Sequence, residues 1–172
     1  LSTAQLRSLT TAQVAVWSGA QVAAVSTAGV QALSTGQIAA LGDEAVVSLS
    51  TAQVVVLSTA QVGALTTAEI VALTTAQVPV LRTSQIVALS TMQWIVMETL
   101  DVGALQSAQV QVLSTSVIAV LSTEQVPVLS TSTFAALTTE QLNTLSTAQM
   151  VVLPAQSLAA LSTAQLESFT IT

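Results

Sequence analysis

STAQVVVL, residues Ser50–Leu57, is followed without a gap by STAQVGAL, Ser58–Leu65. Steps of eight from Ser2 divide the chain into 21 octapeptides, the last ending at Phe169 before a Thr170–Ile171–Thr172 remnant. No insertion or deletion breaks the frame. Octads this short cannot bury a face alone, so they imply a quasi-one-dimensional stack.

Position 5 of the octad is apolar in all 21 repeats, from Leu6 and Val14 to Trp94, Phe134 and Leu166, and position 8 is Leu in 17 of them. Position 7 is Ala or Val in 17 repeats. These three positions are the expected core. Positions 1, 2 and 4, mostly Ser/Thr, Thr and Gln, are expected at the surface or in turns, and position 6, the most variable, at solvent or an edge.

Ser/Thr followed three residues later by Gln or Glu is a capping box, in which two side chains satisfy the open N–H groups of a helix start. Position 4 is Gln or Glu in 15 of 21 repeats. The preceding Leu and the position-5 residue sit where a hydrophobic staple needs its pair. Each cap contributes about 1 kcal/mol. Seven of the eight acids, Asp43, Glu44, Glu69, Glu98, Asp101, Glu124 and Glu140, fall in positions 1 to 4, where the helix dipole favours negative charge. Arg7 lies late in its octad, as a cation should; Arg82, in position 1, does not fit.

The helix must be short. Pro79 and Pro127 occupy position 6, where a continuing helix would lose a hydrogen bond and clash. The expected fold is a solenoid of 21 octads in which one-turn α or 3-10 helices over positions 1 to 5 are joined by extended residues. A β-solenoid competes for the same residues, because positions 3, 5 and 7 alternate as apolar and Val, Ile and Thr favour strands. One helical turn is too short to survive alone in water, so the octads have to stack.

Residues 1–172 read as one domain, with no linker or composition shift, that begins and ends in mid-repeat like a piece of a longer array. Only 6 % of residues are charged, far below the usual quarter, so the surface is hydroxyl and amide rather than ionic. A net charge of −6 argues against nucleic acid and anionic membrane as partners. Membrane insertion is not expected, since the longest apolar run is five residues, Val117–Leu121, and a span needs about 20. The absence of Cys rules out a disulfide framework. Three outlying octads begin at Gly42, Glu98 and Pro154, each 56 residues from the next.

Catalytic and metal sites find little support. With no His or Lys there is no conventional base beside a Ser or Thr nucleophile. Asp43 with Glu44, or Glu98 with Asp101, could form a carboxylate pair, but acids decorating helix starts account for seven of the eight at once. No calcium-binding spacing occurs, and no cofactor is expected. Trp17 and Trp94 occupy core positions rather than an obvious carbohydrate platform. Position 2 is Thr in 17 octads; Thr51, Thr59, Thr67 and Thr75 are the candidate surface-binding residues, because a regular Thr file resembles the flat arrays of ice-binding proteins. The simpler account is that such hydroxyls bond local backbone.

The octad with its preceding Leu, plain at Leu49–Leu57 (LSTAQVVVL) and Leu73–Leu81 (LTTAQVPVL), resembles the repeat arrays of very large bacterial secreted or surface proteins, often described as adhesin-like. That resemblance covers nearly the whole chain and implies export to the cell surface or beyond and a spacer or adhesive-scaffold role; with no conventional catalytic base in the sequence, no enzyme activity is expected. The partners it implies are flanking domains of a longer chain; end-to-end association of arrays is a further expectation. Leu65–Leu73 (LTTAEIVAL) is also similar to the first helix of TAL-effector DNA-binding repeats, but the longer period, second helix and base-reading loop of that family are absent. An ice- or polysaccharide-binding surface on the Thr file is the alternative function.

Overall fold

The computed structural model describes residues 1–169, and the three-residue remnant lies outside them. Among the described residues each octad forms one short element: 19 α-helices of one turn or slightly more, and two 3-10 turns. No strand occurs among them, so the β-solenoid alternative is overturned. The capping chemistry decides the contest, because it supplies hydrogen-bond partners inside the octad that an isolated strand lacks.

Ser50–Leu57 shows how an octad works. Ser50 is extended, at φ −67° and ψ 156°, and its hydroxyl accepts from the Gln53 amide N–H at 3.3 Å. In return Gln53 Oε1 accepts from Ser50 N–H at 2.7 Å, completing the box. The helix Thr51–Val56 follows, and Leu57 returns to extended backbone at φ −55° and ψ 139°. The expected helical span therefore shifts by one residue: position 1 is the cap, and the turn starts at position 2. In the octads of Pro79 and Pro127 the α-helix gives way to the 3-10 turns Val78–Val80 and Val126–Val128, as the missing N–H requires.

Octads stack on those three and four places along. The helix Thr3–Ser8 packs on Thr27–Ala32, and Thr59–Gly63 on Thr83–Ala88, three octads apart. The backbones approach closely there: a Cβ added at Gly63 would lie 3.1 Å from the Ala88 carbonyl oxygen. One octad further, Gln61 Nε2 donates to the Val30 carbonyl at 2.9 Å and to the Leu33 carbonyl at 2.8 Å. The chain is therefore a superhelix with between three and four octads per turn. Seven octads return to nearly the same side after two turns, which places the outliers at Gly42, Glu98 and Pro154 on one line. None of the three has a side-chain cap.

One hydrophobic core runs from Leu6 to Leu161, built from positions 5 and 8. Position 7 joins it only in part: Ala32 is buried and Ala136 packs against the core, but most position-7 side chains are half-buried or exposed. Val16 is 79 % exposed, and Val80 and Val96 are only partly buried, because position 7 ends the helix and turns outward before the buried Leu. Position 4 departs in the opposite direction: Gln37, Gln53, Gln61, Gln77, Gln85, Gln93, Gln109, Gln125, Gln141 and Gln149 are buried, not at the surface.

Candidate functional site

The buried glutamines form the most regular polar feature of the molecule. Each spends Oε1 on its own helix cap and Nε2 on the octad four places back. Gln85 Oε1 accepts from Arg82 N–H at 2.6 Å, while Nε2 donates to the Val54 and Leu57 carbonyls, both at 2.9 Å. The same pattern recurs at Gln53 on Val22 and Val25, at Gln109 on Val78 and Leu81, and at Gln149 on Ile118 and Leu121. The recipient carbonyls are always 31 and 28 residues earlier in these cases. A buried amide with both ends bonded escapes the penalty of an unpaired polar group. Even Arg82, which cannot cap as Ser does, leaves this Gln-mediated half of the box intact.

Where position 4 is not Gln, the ladder has gaps. Val117 places an apolar side chain opposite the carbonyls of Ile86 and Leu89, and a small cavity of about 60 Å³ lies there, lined by Ile86, Leu89 and Val117. Thr133 retains half the link, its hydroxyl donating to the Leu105 carbonyl at 3.2 Å. Val117→Gln should fill the void and add two amide bonds, raising stability by about 1–2 kcal/mol in denaturant titration. A loss of stability would show that the void is too small for the amide.

Thr51, Thr59, Thr67 and Thr75 are exposed, each at or near the first residue of its helix or turn. Capping falls instead to position 1, where Ser50, Ser58 and Thr66 accept the helix N–H groups. The four Thr come from consecutive octads and are spread around about one superhelical turn. A line along the stack instead joins residues such as Thr35, Thr59 and Thr83, three octads apart.

The carboxylate pairs are not alike. Asp43 and Glu44 are exposed in the first turn of the helix Asp43–Val47. Asp101 is buried in the helix Thr99–Gly103 while Glu98, its N-cap, is exposed. Burial, with Glu98 adding repulsion, pushes the Asp101 carboxyl up to about 6. Among the described residues no three His, Cys, Asp or Glu side chains gather as a metal-binding group. Trp94 lies wholly in the core, with its indole N–H unpartnered. Trp17 is half-buried and, with Leu6, Gln21 and Val25, lines a cavity of about 470 Å³. No helix among the described residues is long and apolar enough to cross a membrane.

No curated protein and no solved structure matches the chain. The family model of the ALTTAQ repeat matches residues 30–67, 46–75, 62–91 and 95–131, which together span more than half of the chain. The matches follow the octad array, three of them overlapping, and the chain belongs to the ALTTAQ repeat family.

Proposed function

We propose that the array is a non-enzymatic spacer, a stiff superhelical segment that holds other domains of a longer bacterial surface or secreted protein apart. The observation that carries this reading is the glutamine ladder. It ties coil to coil with paired hydrogen bonds at a fixed register, from Gln37 on Leu6 and Leu9 to Gln149 on Ile118 and Leu121. Such a stack resists bending without any ligand, and its low charge suits a uniform element whose length is set by repeat number.

Small-angle scattering of the 172-residue chain at several concentrations tests the spacer reading. An elongated particle is expected, lengthening with concentration if ends join. A compact globule would remove the spacer role. Labelling of intact cells carrying the full parent protein tests the placement: access of a membrane-impermeant reagent to the array is expected, and labelling only after lysis would overturn it.

The exposed, non-capping Thr residues favour the second reading, a surface that binds ice or polysaccharide. Val substitution at Thr35, Thr59 and Thr83, on one line, should abolish such binding more fully than at Thr51, Thr59, Thr67 and Thr75. Equal, undetectable binding by the native array would end this reading.

A further inference from the structure

Glu69 is the one position where the ladder's amide is replaced by the isosteric acid. Its Oε2 accepts from Thr66 N–H at 2.7 Å, as the Gln oxygens do. Its Oε1 takes the place of the donating amide nitrogen. The residue is 1 % exposed, and Oε1 has no hydrogen-bond partner. The register of the ladder, 31 and 28 residues back, sets this oxygen against the carbonyls of Ile38 and Leu41. Two carbonyl oxygens offer only lone pairs, so an ionised carboxylate has nothing to bond there. A neutral carboxyl does, because its O–H can donate to one of them.

We propose that Glu69 is a proton-operated latch: protonated, it closes the ladder between the octads Ser34–Leu41 and Thr66–Leu73, and ionised, it opens it. Asp101 lies at the same ladder position one coil further on, without the cap bond that Glu69 makes. Its Oδ2 is buried and unpartnered, in the register that faces Ile70 and Leu73 of the Glu69 octad. Proton uptake from solvent at these two sites would tighten three successive coils.

The surroundings reinforce the neutral form. The Glu69 helix, Thr67–Val71, packs on Asp43–Val47, which brings Asp43 and Glu44, and on Thr91–Val96, which brings no charge. The octad on its other side brings Glu98 and Asp101, whereas Ser34–Leu41 carries none. The Asp101 helix packs on the turn Val126–Val128, whose octad adds Glu124; the octads Thr74–Leu81 and Ser130–Leu137 add no charge. Neither cation faces the seam. Arg82 precedes the helix Thr83–Ala88, which packs on Thr59–Gly63 and Ser107–Gln111, and Arg7 lies in the first helix. Burial raises the Glu69 carboxyl above its ordinary value, with Asp43 adding to it, against the lowering effect of the Thr66 hydrogen bonds.

Both acids are thus raised in the folded chain. Their stabilising contribution is fully present below the unfolded values, near 4.5 for Glu69 and 3.8 for Asp101, and is lost as pH rises through the folded values. For Asp101 the loss extends to about 6. As pH rises each group raises the unfolding equilibrium constant, by at most about tenfold per pH unit.

Urea titrations of the whole chain from mildly acidic to mildly alkaline pH test the latch. The native array should be most resistant at the acid end, with its midpoint falling as pH rises. Glu69→Gln, which restores the ladder amide, should be at least as stable throughout and lose the Glu69 part of the fall. Glu69→Gln with Asp101→Asn should be nearly flat. Infrared spectra of the chain isotope-labelled in its glutamate carboxyls alone should show a neutral glutamate carboxyl in the native chain at a pH where exposed carboxyls are ionised, absent in Glu69→Gln. A native midpoint that does not fall, an equal fall in the double variant, or no neutral-carboxyl band would each overturn the proposal.

Discussion

Gln85→Ala destabilises the array by about 3–4 kcal/mol. The substitution removes three hydrogen bonds at once: one from Arg82 N–H and two to the carbonyls of Val54 and Leu57. Net losses of about 1 kcal/mol per bond are compounded because the site, 1 % exposed, leaves the Leu57 carbonyl unpaired, whereas the Val54 carbonyl keeps the bond from Leu57 N–H at 3.2 Å. Gln13→Ala is the internal control. Gln13 is exposed and serves only its own cap, accepting from Thr10 N–H at 2.9 Å, so its loss costs about 0.5–1 kcal/mol. Paired denaturant titrations decide the matter: equal effects at the two sites would mean that the link between coils carries no stability. Because each coil touches only its neighbours, amide exchange should also rise first around Val54–Leu57 and Arg82–Leu89, not uniformly.

Trp94→Ala has a comparable or larger effect, about 3–5 kcal/mol, for a different reason. Trp94 is the largest fully buried side chain and fills a position that holds Val, Ile or Leu in most octads, so truncation leaves a cavity its neighbours are too small to close. The contrast with Trp94→Phe separates packing from polarity. Phe gives up part of the buried area but also removes an indole N–H that has no partner. The two changes oppose one another, and Phe should fall within about 1 kcal/mol of the native chain. A Phe variant as damaged as the Ala variant would show that the indole N–H is satisfied and matters.

The local half of this structure was legible in the octad. Ser50 and Gln53 form the box that their spacing requires, Pro79 and Pro127 convert helix to 3-10 turn, and the position-8 leucines enter the core. The non-local half was not, because Gln uses both ends of its amide. The cap accounts for Oε1 alone, while the partners of Nε2 lie 28 and 31 residues away, at a separation no local pattern encodes. One signal does point to it. A capping box needs only an acceptor, and Glu would serve with the added favour of the helix dipole, yet position 4 holds 14 Gln and a single Glu, Glu69. So strong a preference for the amide means that its other branch must donate. Position 7 misled for the opposite reason: Ala and Val there read as core, but the helix ends at that point and Val16 or Val152 faces outward.

The 56-residue spacing of the outlying octads also acquires a physical sense. Octad Gly42–Leu49 stacks under Thr66–Leu73, which by the register of the ladder faces Glu98–Leu105, so a step of three and a step of four make seven. Of the eight acids, Asp43, Glu44, Glu69, Glu98, Asp101 and Glu124 belong to octads on this side of the superhelix. Helix starts explain why each acid is tolerated, but only the stack explains why they lie together.

The most direct test of the central claim is hydrogen exchange of the glutamine side-chain amides, followed by NMR on the 172-residue chain. If coils are joined by Nε2 bonds, the amides of the ten fully buried glutamines, Gln85 among them, exchange slowly, while those of Gln5, Gln13 and Gln21 exchange freely. Uniformly fast exchange at all of them would contradict the ladder and, with it, the superhelix it holds together.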